Sequence, residues 1–195
     1  MNKIYHYADL TLDKKLNTKP SWILTLLAFS FFGAVVAPTI FKDAFLEPGG
    51  TFKQLFVMSM SYFTISFFYG VIFGFGTSFI MMHILRFMNV RLTYSQLIKL
   101  FQISYLPYII PAFVYLIRII LANYFETEFV QSILIIIGIL YVFISLITLM
   151  VSIWVLVLLF RGMNRLTGLK FSQNLLVFIG SALVLSPINI YLMYF

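Results

Sequence analysis

RFMNVRLTYSQLIKLF (Arg86–Phe101) and RGMNRLTGLKFSQNLLVF (Arg161–Phe178) are two versions of one passage. Each has an arginine closing an apolar stretch, then Met-Asn, a short polar link, and Ser-Gln opening the next apolar stretch. Aligned on Arg-x-Met-Asn, Arg86, Met88 and Asn89 stand opposite Arg161, Met163 and Asn164. Two extra residues in the second copy restore the register, so that Leu92, Tyr94, Ser95, Gln96 and Phe101 meet Leu169, Phe171, Ser172, Gln173 and Phe178. A turn written twice within one chain implies a duplicated helix-turn-helix unit, and the apolar stretches around it decide the fold.

Of the 195 residues, 62% are hydrophobic and only 10% charged; soluble domains carry about a quarter charged residues, so the chain reads as an all-α membrane protein. A spanning helix needs roughly 20 apolar residues. Five stretches qualify: about Trp22 to Ile40, Phe56 to Leu85, Leu100 to Leu121, Ile133 to Phe160 and Leu175 to Phe195. The second and fourth are long enough to tilt or to extend past the bilayer. The expected organisation is a cytoplasmic segment, 1–21, followed by a five-helix domain, 22–195, with repeat units over about 56–121 and 133–195. Within residues 1–21, Ile4, Ala8, Leu12 and Leu16 recur every four residues, the pattern of a short helix lying on a membrane surface, with a frayed polar tail as the alternative. Its length and its Asp9 and Asp13 are unlike a signal peptide.

Charge sets the expected orientation. The N-terminal segment carries Lys3, Lys14, Lys15 and Lys19; the second connector has Arg86, Arg91 and Lys99, and the fourth Arg161, Arg165 and Lys170, neither with an acid. The first connector mixes Lys42 and Lys53 with Asp43 and Glu47, and the third holds Glu126 and Glu128 alone. Ten of the thirteen basic residues therefore fall on one side, which the positive-inside rule makes cytoplasmic: N terminus in, C terminus out. Dispersed beside anionic headgroups, these charges account for the net +7 without a nucleic-acid partner. Two spans separate the copies, so the duplicated unit keeps its orientation as a parallel repeat.

At each turn, Arg and Asn complement the negative end of the preceding helix. Thr93, Ser95, Lys170 and Ser172 lie where the next helix starts, and a Ser or Thr there caps an unpaired N–H. The turns read either as capped, lipid-anchored hairpins or as a cytoplasmic docking surface formed jointly by Arg86, Asn89, Arg91, Gln96, Arg161, Asn164, Arg165 and Gln173. Pro107, Pro111 and Pro187 each remove a backbone donor and call for a kink whose freed carbonyl is satisfied by a neighbour; a ligand cavity between kinked helices is the alternative. Gly70, Gly74 and Gly76 permit close helix approach, inside the bundle or at a dimer contact.

Catalytic, metal and cofactor signatures are not found. The absence of Cys excludes thiolate chemistry, no Asp or Glu falls in a span, and Arg118 lies near a helix end where it can snorkel. His6 and His83 lack ligand spacing, and Glu126 and Glu128 belong to a connector. An enzyme or a proton-coupled pump is not expected.

The Gly-containing second helix, FQISYLPYIIPAF (Phe101–Phe113) and WVLVLLFRGMNRLTGLKFSQ (Trp154–Gln173) resemble the YIP family of Rab-interacting membrane proteins and its bacterial relatives. Phe101, Ser104, Tyr105 and Pro107 stand where that family shows an apolar-x-x-Ser/Ala-Tyr-x-x-Pro pattern. The resemblance covers about Phe56 to Phe195 and implies five spans, a cytoplasmic N terminus and a short exterior C terminus. It carries over to the membrane domain and not to Rab binding, because residues 1–21 do not match the extended N-terminal domain of many eukaryotic members. The expected function is that of a noncatalytic protein of a bacterial cytoplasmic membrane acting through a membrane-protein partner or a homo-oligomer, accessory to an ABC exporter or serving envelope-stress or antimicrobial-peptide resistance. A small passive transporter, channel or lipid-handling protein is the alternative.

Overall fold

The computed structural model describes Leu16 and residues 18–40, 52–124 and 130–194. The surface-helix expectation for residues 1–15, the acidic connector residues Asp43, Glu47, Glu126 and Glu128, and the Arg118 side chain lie outside the described residues. The described chain is helical: α1 (Trp22–Ile40), α2 (Phe52–Phe87), α3 (Tyr94–Tyr105), α4 (Ile109–Tyr124), α5 (Val130–Thr167) and α6 (Phe171–Tyr194). A 3-10 turn, Leu106–Tyr108, joins α3 to α4 into one interrupted rod, so the helices form five rods. Four of these are long and apolar enough to cross a membrane, over Phe56–Phe87, Tyr94–Ile117, Ser145–Thr167 and Phe171–Ile188, while the apolar Trp22–Pro38 of α1 is shorter. At 1.5 Å per residue, the 36 residues of α2 and 38 of α5 extend about 54 and 57 Å, well beyond a hydrocarbon core of about 30 Å.

Two boundaries differ most from expectation. The third rod starts at Tyr94, ahead of Leu100, because a cap at Thr93 begins the helix inside the polar link. The fourth runs on to Thr167, past Phe160, so Arg161, Asn164 and Arg165 belong to the last turns of α5 and not to a connector. Lys99 likewise lies in α3 and is buried, its ammonium donating to the Lys19 carbonyl at 3.4 Å. That contact, and the burial of Leu16 in the main apolar cluster, hold Leu16 and Lys19 against the bundle.

α1 and α2 pack antiparallel through small residues. A Cβ on Gly33 would overlap the Ser66 carbonyl and the Gly70 backbone, one on Gly70 would overlap the Phe29 carbonyl, and one on Gly74 would strike the Phe29 ring. The Gly70 and Gly74 face is thus spent inside the bundle. Gly76 points elsewhere, its nearest neighbour being Leu185 of α6 at 3.9 Å, which places α2 between α1 and α6. α3 fits among α1, α2 and α5 and is buried nearly all round. Its Tyr105 stacks on Phe32 with centroids 4.5 Å apart and meets Phe29 and Phe101 at 6.1 and 5.2 Å. α5 and α6 instead expose Phe143, Leu149, Met150, Ile153, Leu176 and Leu183, an apolar surface that water would not tolerate and lipid does.

Hydroxyls in these helices largely bond to their own backbone. Thr25, Ser30, Thr64, Thr77, Ser78 and Thr167 each donate to the carbonyl four residues back, at 2.6–2.8 Å. Prolines disturb the ladder in a predictable place, the carbonyl four residues earlier. Pro38 frees Ala34, whose carbonyl accepts from the Tyr62 hydroxyl of α2 at 2.9 Å; the same hydroxyl lies 3.3 Å from the Ala112 carbonyl of α4. Pro187 frees Leu183, whose carbonyl accepts from Ser186 at 2.9 Å, and α6 continues without interruption. Pro107 breaks its rod into the 3-10 turn, whereas Pro111 sits in the first turn of α4, where a missing N–H costs little.

The geometry makes two opposed expectations. Gly70→Ala lowers the unfolding midpoint in detergent, by about 1–3 kcal/mol of overpacking, whereas Gly76→Ala, with room for a Cβ, gains up to about 1 kcal/mol of helix propensity. Tyr62→Phe costs about 1–3 kcal/mol by stranding a buried carbonyl, and in a Pro38→Ala background most of that cost disappears; equal cost in both backgrounds removes the Tyr62–Pro38 link.

Candidate docking site at the two turns

The first turn ends α2 with a Schellman motif. Val90 N–H donates to the Leu85 carbonyl at 2.9 Å and Asn89 N–H to the Arg86 carbonyl at 3.0 Å, with Asn89 in the left-handed region at φ 61°. α3 then opens with a capping box: Gln96 N–H donates to the Thr93 hydroxyl at 3.3 Å and Thr93 N–H to the Gln96 side-chain oxygen at 2.9 Å.

The second turn solves the same problem differently. Asn164 stays helical, and the left-handed position passes to Gly168, φ 67°, whose N–H donates to the Asn164 carbonyl at 2.9 Å, the simpler left-handed cap. The two extra residues lengthen this copy, and glycine takes the positive φ without steric cost. Lys170 N–H donates to the Gln173 side-chain oxygen at 3.0 Å, reproducing half of the first capping box. N-capping therefore falls to Thr93 and Lys170; Ser95 and Ser172, the other N-cap candidates, sit inside the first helical turn. The Ser-Gln of both copies is explained by glutamine at the third helical position, which a helix N-terminus needs to satisfy an orphan N–H.

Asn174 was not apparent as important from sequence, yet it is wholly buried and closes the second turn. Its amide bonds to the Asn164 side-chain oxygen and to the Leu169 carbonyl at 3.4 Å, and its oxygen lies 3.2 Å from the Thr167 hydroxyl, which also accepts from Leu169 N–H at 3.1 Å. A lone Asn in the apolar run FSQNLLVF was the available signal. At the corresponding place in the first copy stands Leu97, buried in the apolar cluster.

The structure gathers apolar residues of the two turns into one cluster. Met88, Leu92, Leu97, Met163, Leu166 and Leu169 share one cluster, and Leu100 of α3 occupies the space where Gly162 would carry a Cβ. Arg86, Asn89 and Arg91 are exposed and line an open groove of about 580 Å³ with Val90, Leu92 and Thr93, all from the first turn. Of the second-turn candidates, Arg165 is exposed while Arg161, Asn164 and Gln173 are half-buried; Gln96 of the first is also half-buried. Nearby His83 is exposed and edge-on to Phe79 at 4.5 Å. Among the described residues, no group of three His, Cys, Asp or Glu could hold a metal ion.

A second opening lies within the membrane span, between α1, α2 and α4. It measures about 310 Å³ and is lined by Leu27, Phe31, Tyr62, Phe63, Phe67 and Phe113 among others. Ser66 also lines it; its hydroxyl, like that of Ser104 and the side-chain oxygen of Gln102, is buried without a hydrogen-bond partner among the described residues. Such groups are costly in a bilayer, where water offers no alternative.

Capping roles and exposed charges separate by stability. Gln96→Ala or Gln173→Ala lowers the unfolding free energy by about 0.5–2 kcal/mol, whereas Arg86→Gln and Arg91→Gln stay within about 0.5 kcal/mol, measured by thermal unfolding in zwitterionic detergent.

Comparison with curated proteins and with solved structures returns no match. The Yip1 domain family, in contrast, matches residues 9–193, nearly the whole chain, including both turns, the Phe101–Phe113 passage and every described helix. With its apolar rods and paired turns, this chain is a multi-pass membrane protein that belongs to the Yip1 family.

Proposed function

We propose that the chain is a noncatalytic protein of a bacterial cytoplasmic membrane that works by holding a second membrane protein against its helices. The observation that carries this reading is the lateral groove between α1, α2 and α4: an apolar, aromatic-walled opening at span depth, with the Ser66 hydroxyl beneath it. Thr93, Gln96, Asn164, Thr167, Gln173 and Asn174 are committed to capping and to the network around Asn174, which supports a structural role for them. The basic turns and Lys19 face the cytoplasm under the positive-inside rule, with the N terminus inside and the C terminus outside. Accessory service to an ABC exporter, or to envelope-stress or antimicrobial-peptide resistance, is the physiological form of this role that the bacterial-type resemblance suggests.

One observation favours a second reading, lipid handling. The same groove takes in Ala112 and Phe113, directly after Pro111, and has the apolar walls an acyl chain prefers. Pro187 is exposed on α6 and is not among its lining residues.

A photo-crosslinking residue at Phe63 or Phe67, both exposed on the groove, discriminates the two in native membranes. The partner reading expects a discrete protein adduct, either another membrane protein or a second copy. Adducts confined to lipid overturn it in favour of lipid handling.

A further inference from the structure

We propose that the first turn is a discrete seat for the phosphate of an anionic phospholipid, and that its repeat at the second turn is not. Among the described residues, the groove of about 580 Å³ is lined by Arg86, Asn89, Val90, Arg91, Leu92 and Thr93, a single turn between two membrane rods. Arg86 and Arg91 are both exposed on it. No Asp or Glu occurs anywhere from Pro48 to Phe125, and none of the described residues is acidic, so no described carboxylate neutralises either guanidinium. Planar guanidinium forks match phosphate oxygens bidentately and are less strongly hydrated than ammonium groups, which suits them to a headgroup layer. The exposed Asn89 amide adds a neutral donor on the same turn.

The neighbouring surface identifies the source of the phosphate. Phe87, next to Arg86, is 89% exposed, and Phe79, two turns up α2, is 53% exposed. Aromatic side chains left bare beside paired arginines are unfavourable in water and favourable where acyl chains meet headgroups. A lipid satisfies both halves of this surface, its phosphate on the arginines and its chain along the phenylalanines; a free phosphate satisfies only the first.

The second turn has the same letters and a different surface. Arg161 is half-buried and engaged, Asn164 is tied to Asn174, and Gly162, the counterpart of Phe87, is covered by Leu100. The groove of the first turn takes no residue from it.

The test uses the full chain in nanodiscs of phosphatidylcholine containing a minor fraction of phosphatidylglycerol, with retained lipid read by native mass spectrometry. Arg86→Gln with Arg91→Gln is compared with Arg165→Gln with Lys170→Gln, which removes the same charge from the second turn. We expect the first pair to lower phosphatidylglycerol retention about tenfold or more, the loss that removing a single hydrogen bond to a charged group brings, and the second pair, whose diffuse attraction is screened at physiological salt, to change it by less than about twofold. Equal losses from both pairs reduce the effect to diffuse attraction and overturn the proposal, as does no loss from the first pair. Displacement of the lipid by inorganic phosphate at matched concentration overturns the lipid as the source. Unchanged unfolding in pure phosphatidylcholine confirms that the glutamine pair folds; if it does not, Arg86→Lys with Arg91→Lys carries the test. That pair keeps the charge but not the fork, and its retention is expected to fall several-fold, with full retention overturning the bidentate seat.

Discussion

A helix inside hydrocarbon has no water to fall back on, so a backbone carbonyl released by proline has to be claimed by the protein itself. The bond from Tyr62 to the Ala34 carbonyl meets that demand for Pro38, and much of the architecture depends on it. To deliver its hydroxyl, α2 has to lie close against α1. Gly33, Gly70 and Gly74 supply that closeness by leaving no side chain between the two backbones. The same hydroxyl reaches the Ala112 carbonyl, which draws in α4 and walls the lateral groove. A local defect in one helix thus organises three.

The duplicated turn shows how little identity of sequence is needed for identity of architecture, and how little it guarantees identity of surface. Both copies have to end a helix, reverse direction and start another, and both place a glutamine on an orphan N–H to do so. Where the first uses Asn89 for the left-handed residue, the second spends four more helical residues and uses Gly168. In the second copy Asn164 is tied to Asn174 and Gly162 lies under Leu100, so the counterparts of Asn89 and Phe87 are covered there, while Arg165 and Lys170 stay exposed. Membership in the Yip1 family embraces both turns, and the difference in surface between them is a property of the folded chain.

Much of this was legible in residue order. Membrane helices are recognisable because hydrocarbon demands long apolar runs, and the doubled Arg-x-Met-Asn passage marks reversals because capping chemistry is local. The ends of those helices were less legible. Thr93 with Gln96 starts α3 earlier than hydropathy suggests, and α5 carries its polar Arg161–Thr167 stretch as helix, because hydrogen bonding and not apolarity sets where a helix stops. Of the glycines, Gly70 and Gly74 lie against Phe29 of α1, and Gly76 lies on another face, near Leu185 of α6.

The sequence by itself determined the class of protein, the number of apolar rods, the places where the chain turns and, at Pro107, Pro111 and Pro187 but not at the overlooked Pro38, the need for a neighbour to satisfy a freed carbonyl. These are consequences of composition and of rules acting within a few residues. Only the tertiary structure decided which donors answer the Ala34 and Leu183 carbonyls, that Asn174 and Lys99 are buried, and that Asn89 is exposed at one turn while Asn164 is tied down at its copy. Those outcomes depend on residues far apart in the chain, Tyr62 with Ala34, Leu100 with Gly162, Lys99 with Lys19, and only close packing of helices brings such pairs within a few ångströms.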